Sequence, residues 1–238
     1  MIPLRDNLKP RRTPIVTVSI LALNIGTFLY TRLLGQTGFD VVTESWGTIP
    51  FEITHVVDAI SPTPFPVYLT LLTSVFLHAG WLHLGLNMLY LWVFANNVED
   101  VLGRFRFLLF YLVCGGVASI SQVVAHPESV IPLVGASGAV AGALGAYLVA
   151  FPGAMIHVIV PIFFFIRILP VPAVLVLVMW LGFQILNAWL DGGGPGGGVA
   201  WYAHIGGFAA GYLLMRVRKP RRRWVEPEGN SAGSTKSV

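Results

Sequence analysis

Long apolar segments separated by shorter polar stretches dominate the pattern of this chain. A helix needs about 20 mostly apolar residues to cross the hydrocarbon core of a bilayer, because each residue rises about 1.5 Å. Six segments are apolar enough to be such spans, at residues 15–34, 82–95, 105–125, 137–151, 172–190 and 201–217. The pattern therefore predicts an all-α, polytopic membrane protein whose six transmembrane helices form one bundle.

Composition and the distribution of charge support this interpretation. Of the 238 residues, 55% are hydrophobic and only 11% are charged, and the mean hydropathy is +0.73, which excludes an ordinary soluble domain. Lys and Arg concentrate on one side of the six predicted spans, including residues 5–12 and 216–223. Since cytoplasmic flanks retain basic residues, both termini are predicted to be cytoplasmic. Topology and anionic lipid explain this charge, so no nucleic-acid partner is expected.

Three regions follow from the same pattern. Residues 1–14 are predicted to be a basic cytoplasmic segment, residues 15–217 the membrane domain, and residues 218–238 a basic, disordered cytoplasmic tail. The single cysteine, Cys114, excludes an internal disulfide framework and a multi-cysteine metal cluster. No zinc-binding helix motif occurs, so neither a metal nor a cofactor is expected.

Polar residues inside the second predicted span indicate chemistry. A polar group buried in lipid without a partner costs several kcal/mol, so each such group needs an explanation. His83 and Asn87 are four residues apart and project from one face of a helix. The two side chains could form hydrogen bonds between packed helices. Both side chains also contain N–H donors, which could hold a developing oxyanion.

A serine and a histidine lie among small residues in the fourth and sixth spans. Ser137 and His204 accompany five glycines that could bring the two helices together, namely Gly135, Gly138, Gly142, Gly207 and Gly211. Small residues four apart are typical of tight helix packing, which is the simplest interpretation of them. The same closeness is what a Ser-His dyad on two different helices would require. No orienting carboxylate is expected beside His204.

The fourth predicted span is short. Residues 137–151 would rise only about 22 Å, whereas a hydrocarbon core is about 30 Å thick. The helix is therefore expected to begin inside the membrane, where irregular backbone is tolerated only beside a water-accessible cavity. A hydrolase needs that water.

Three ordered motifs resemble those of rhomboid-family intramembrane serine proteases. They are His83-Leu84-Gly85-Leu86-Asn87, Gly135-Ala136-Ser137-Gly138, and Ala203-His204 followed by Gly207 and Gly211. The resemblance implies that Ser137 is the nucleophile and His204 the general base and then acid. It also implies that His83, Asn87 and the Ser137 backbone amide form an oxyanion hole.

The resemblance further implies the reaction and its setting. The expected reaction is hydrolysis of a peptide bond in or near a transmembrane segment of a single-span or polytopic membrane protein. The compact form resembles bacterial members in the plasma membrane. The alternative is a non-proteolytic relative that binds transmembrane helices, although such relatives usually lack one or both catalytic residues.

Two positions differ from the pattern of many relatives. Leu69-Thr70 stands where many have Trp-Arg in the first outer loop, and Ala141 stands where many have Tyr one turn after the nucleophile. His204 is therefore expected to lack that aromatic neighbour.

Overall fold

The computed structural model describes residues 2–58, 62–162, 165–191 and 198–218. Within these residues the chain is mostly helical, at 69%. Ten α-helices occur within the described residues: α1 (Ile15–Leu33), α2 (Gly35–Trp46), α3 (Pro50–His55), α4 (Thr70–Thr73), α5 (Trp81–Tyr90), α6 (Asn96–Leu102), α7 (Arg104–Ala125), α8 (Ser137–Ala150), α9 (Ala173–Leu190) and α10 (Trp201–Arg218). Short 3₁₀ turns, Val67–Leu69 and Ser74–Phe76, flank α4.

The six predicted spans all contain helix. The second is longer than predicted, because a π-helical turn, Leu91–Ala95, joins α5 to α6 without a break. This helix ends at Gly103, whose φ of 78° favours glycine, and α7 begins at the next residue.

The helices differ in length and in apolar character, and therefore in whether each can cross a membrane alone. Three of those in the described residues, α1, α7 and α9, are long and apolar enough to cross a membrane alone. A fourth span results if the helices at Val67–Phe76 and Trp81–Leu102, bent by 81°, count as one. The helical membrane protein is thus confirmed in outline, and the count of six spans stays a prediction.

A three-stranded antiparallel sheet corrects the predicted all-α class. Its strands are β1 (Ile2–Asp6), β2 (Met155–Ile162) and β3 (Phe165–Pro172), in the order β1-β2-β3. Ile2 pairs with Ile159 across β1 and β2, and Met155 pairs with Pro172 across β2 and β3. The N-terminal segment, predicted as a separate cytoplasmic region, thus contributes a strand beside the helices. Of the predicted tail, residues 219–238 lie outside the described residues.

The buried centre of the bundle is α8. All residues from Gly138 to Tyr147 are buried, and small side chains let neighbouring helices come close. A β-carbon added to Gly207 would collide with the carbonyl oxygen of Gly138, and one added to Gly211 would collide with that of Gly142. The backbones of α8 and α10 are therefore in direct contact.

A buried carboxylate fixes the start of α1. Glu99 accepts hydrogen bonds from the backbone amides of Val16 and Thr17, at 3.0 and 2.7 Å, and from the Thr17 hydroxyl at 2.7 Å. The first amides of a helix have no partner within it, and a negative charge there is favourable. Glu99 thus ties the second apolar helix to the first.

The connection between α1 and α5 is structured and joins the segment that leads into α8. Thr48 and Leu133 exchange backbone hydrogen bonds of 3.1 and 2.8 Å, and the Phe51 amide donates to the Ser129 carbonyl. Arg32 at the end of α1 donates to the carbonyl of Ala79 at 2.7 Å. These bonds hold the approach to Ser137 in place.

Candidate active site

Ser137 is the first residue of α8, and the glycine before it determines what lies beside it. Gly135 has a φ of 131°, a conformation that other residues rarely adopt, and its amide donates to the carbonyl of Ser74 at 2.9 Å. A β-carbon on Gly135 would lie 2.7 Å from two ring atoms of His83 and 3.7 Å from the Ser137 hydroxyl oxygen. The His83 ring and the Ser137 side chain therefore lie beside the same point.

His83 and Asn87 share one face of α5, as predicted from their spacing. The His83 ring packs edge-on against His78, with the ring centroids 5.2 Å apart. Asn87 is buried, and its Nδ2 makes no hydrogen bond in the part of the chain that is described. The face of α5 that carries His83 thus also holds a donor without a partner, and unengaged donors are what an oxyanion hole uses.

His204 on α10 is held by two aromatic rings and one amide. Its ring centroid lies 5.8 Å from that of Trp180 and 6.3 Å from that of Trp201. Its Nδ1 lies 2.7 Å from Oε1 of Gln184. Ala141 supplies no aromatic ring, as expected, and His204 is instead flanked by Trp180 from α9 and by Trp201 from its own helix.

Sequence reasoning missed Trp180 and Gln184. The available signal was that Gln184 is a polar residue inside an apolar span and lies one turn after a tryptophan. Both side chains project from the same face of α9, four residues apart. Their contact with α10 could not be read from this spacing.

The contact of α8 with α10 brings the neighbours of Ser137 and His204 together. Gly138 follows Ser137, and its added β-carbon would lie 3.6 Å from the carbonyl oxygen of Ala203, which precedes His204. Ser137 and His204 are both partly exposed, and among the described residues no hydrogen bond joins them.

The remaining predicted features have structural roles. Thr70 is buried, and its carbonyl accepts a 2.8 Å bond from the Thr48 hydroxyl, so Leu69-Thr70 belongs to the packed outer segment. Cys114 is buried and lies against Gly142. Within residues 2–58, 62–162, 165–191 and 198–218, no group of three or more His, Cys, Asp or Glu could hold a metal ion.

These elements offer the parts of an acyl-transfer site. A hydroxyl stands at a helix N-terminus, a fixed imidazole lies on the adjoining helix, and the His83 ring of α5 lies beside the hydroxyl. A nucleophile, a base held in one orientation and oxyanion donors are the requirements for hydrolysis by a serine.

Comparisons with known proteins match the chain to one family. The sequence model of the Rhomboid domain matches residues 66–221. The chain is 37% identical over 145 residues to the rhomboid protease GluP of Bacillus subtilis, covering 60% of this chain and 25% of that protein. It is 31% identical over 172 residues to the mitochondrial rhomboid protein 1 of Saccharomyces cerevisiae, covering 68% and 46%. The chain thus spans a quarter to about half of the length of these relatives.

Proposed function

The chain belongs to the rhomboid family, and we propose that it is an intramembrane serine endopeptidase that uses a dyad of Ser137 and His204. Proteins of this family are usually intramembrane serine proteases that act on membrane proteins within the bilayer. The proposed reaction is hydrolysis of a peptide bond in or near a transmembrane segment of such a protein.

The observation that carries the proposal is the backbone contact between α8 and α10. Gly207 packs on the carbonyl oxygen of Gly138, so the residues beside Ser137 and His204 meet at one crossing. A serine hydroxyl and an imidazole on separate helices can exchange a proton only if the helices come this close. Glycine at both positions supports the dyad.

The proposed chemistry assigns a proton at each step. His204 Nε2 takes the proton of the Ser137 hydroxyl as its oxygen attacks the scissile carbonyl carbon. The resulting imidazolium then donates that proton to the leaving amine, which releases one half of the substrate. A water molecule then attacks the carbonyl carbon of the acyl-enzyme while His204 Nε2 takes its proton. The imidazolium returns that proton to the Ser137 oxygen, which releases the second half of the substrate and regenerates Ser137.

Three donors are proposed for the oxyanion. The backbone amide of Ser137 lies at the N-terminus of α8, where helix amides are free and the dipole favours negative charge. His83 lies beside Gly135, and Asn87 Nδ2 has no other partner in the described residues. Donors of this kind stabilise the tetrahedral intermediate more than the substrate.

The membrane topology is part of the proposal. We infer six spans, with α8 and α10 joining the four that length and apolar character support, and with both termini cytoplasmic. The proposed location is the bacterial plasma membrane. Burial of α8 at the centre of the bundle supports counting it as a span that begins inside the membrane.

Labelling with a fluorophosphonate tests the nucleophile directly. The reagent reacts with an activated serine and leaves inert hydroxyls unmodified. Mass spectrometry should place the label on Ser137, and both Ser137→Ala and His204→Ala should abolish it. Ser19→Ala, which removes an exposed hydroxyl on α1, should label as the native protein does. A label elsewhere, or none on a folded protein, would contradict the proposal and favour a relative that only binds helices.

A further inference from the structure

A single amide connects α9 to the candidate base. Gln184 is buried, with 4% of its surface exposed. Its Nε2 donates to the carbonyl of Trp180 at 3.3 Å, and its Oε1 lies 2.7 Å from Nδ1 of His204. Both ends of the carboxamide are therefore engaged, one by its own helix and one by α10.

The orientation of this amide determines which nitrogen of His204 carries hydrogen. A reversed amide would turn Oε1 towards the Trp180 carbonyl oxygen and place two acceptors together. In the observed orientation Oε1 can only accept, so His204 Nδ1 must donate. A neutral imidazole has one N–H, and its Nε2 then holds the free lone pair.

We propose that Gln184 is a positioning residue that keeps His204 as the Nδ1–H tautomer, so that Nε2 can accept the proton of Ser137. This role rests on the proposed function, in which His204 is the base. In Ser-His-Asp hydrolases a carboxylate performs the same task from the far side of the imidazole. The Nδ1–H bond to Gln184 persists when Nε2 is protonated, because an imidazolium donates from both nitrogens.

Trp180 supports the same orientation from the same helix. Its ring lies against His204 at 5.8 Å with an interplanar angle of 37°, while its carbonyl fixes the Gln184 amide. One turn of α9 thus restricts both the tilt of the imidazole and its tautomer. This explains how the site can work without an aromatic residue at Ala141 and without a carboxylate beside His204.

The next turn of α9 supplies a matched control. Asn187 donates from Nδ2 to the carbonyl of Phe183 at 2.7 Å, the same bond to its own helix that Gln184 makes. Asn187 has no described bond to His204. Comparing the two amides therefore separates contact with the imidazole from general effects on α9.

The experiment compares full-length variants in liposomes. Gln184→Met keeps the length of the side chain but removes the acceptor, Gln184→Glu keeps an acceptor, and Asn187→Leu is the control. With ¹⁵N-labelled histidine, His204 signals are identified by their loss in His204→Ala, and nitrogen shifts report the tautomer. A substrate assay gives kcat and KM, and thermal melting checks that each variant is folded.

We expect a native Nδ1–H tautomer, its loss in Gln184→Met, and its retention in Gln184→Glu and Asn187→Leu. The kcat of Gln184→Met should fall about tenfold with KM unchanged, as for one lost hydrogen bond at the base. Gln184→Glu should recover most of that rate. A native tautomer in Gln184→Met, or an equal fall of kcat in Asn187→Leu, would overturn this role. A native protein that cleaves nothing refutes the proposed function alone, since the nitrogen shifts require no turnover.

Discussion

Replacing Gly207 with alanine tests the contact on which the dyad depends. The new β-carbon would collide with the carbonyl oxygen of Gly138 and would lie 3.3 Å from the β-carbon of Ala118. The obstacle is backbone, which cannot rotate away as a flexible side chain can. Since non-bonded atoms normally stay about 3.5 Å apart, α8 and α10 must separate by roughly 1.5 Å.

Two opposing contributions to the free energy of unfolding determine how Gly207→Ala affects stability. Overpacking a tight interface costs about 1–3 kcal/mol, and alanine offsets about 1 kcal/mol because it favours helix over glycine. The free energy of unfolding should therefore fall by about 0–2 kcal/mol. Gly207 is three residues after His204, so the separation should also displace the base. A shift of roughly 1 Å between reacting groups costs about 100-fold in rate.

The assay measures cleavage rate in liposomes and thermal midpoint in detergent for native protein, Gly207→Ala and Gly182→Ala. Gly182 is the control, because a β-carbon there meets nothing within 4 Å. Gly182→Ala should keep the native rate and gain slightly in stability through helix propensity. A Gly207→Ala protein with native rate and native midpoint would refute the role assigned to this crossing.

Three further predictions concern buried polar groups. Glu99→Gln should lower the free energy of unfolding by about 2 kcal/mol, measured by melting, because its oxygen can serve the two donors of Thr17 but its N–H group then faces the Val16 amide, another donor. Asn87→Leu should lower kcat about 100-fold to 1000-fold with little change in KM, as for other lost oxyanion donors. Burial raises the pKa of Asp6 above its ordinary value, against the opposing hydrogen bonds from Tyr147 and Leu8. The folded chain then binds that proton more tightly, so stability should be full below the unfolded pKa and should decrease as pH rises through the folded pKa. Asp6→Asn should flatten that decrease.

For each of these three predictions, one result would contradict the reasoning. Glu128→Gln, on an exposed carboxylate, should leave the midpoint unchanged, and an equal loss there would contradict the special role of Glu99. A change confined to KM in Asn87→Leu would assign Asn87 to substrate binding. A difference in stability between native protein and Asp6→Asn that does not vary with pH would contradict the effect of burial on Asp6.

The helices were predictable because their signal is local. Long apolar runs and glycine positions are properties of neighbouring residues, and the short α8 begins at Ser137 in the structure as in the sequence prediction. The sheet was not predictable in this way. Residues 155–172 form an apolar run containing prolines, and such runs do not distinguish strand from loop. The pairing of β1 with β2 joins residues about 150 positions apart, which no local pattern encodes.

In the candidate site, too, local motifs could be predicted from the sequence and contacts between distant helices could not. Ser137, His204, His83 and Asn87 stand in spaced motifs, so their residue types could be identified from the sequence. Gln184 could not be assigned a partner, because an amide inside a helix can bond to its own backbone and needs no other helix. Only the packing of α9 on α10 shows that its oxygen faces His204.

Proteolysis in a defined membrane tests the central claim most directly. Full-length native protein and Ser137→Ala would be reconstituted in liposomes with a labelled single-span substrate containing Gly or Pro, and the products identified by mass spectrometry. We predict cleavage within or next to the transmembrane segment by the native protein and none by Ser137→Ala. Equal cleavage by both proteins, or binding of the substrate without any cleavage, would contradict the assignment of a serine protease.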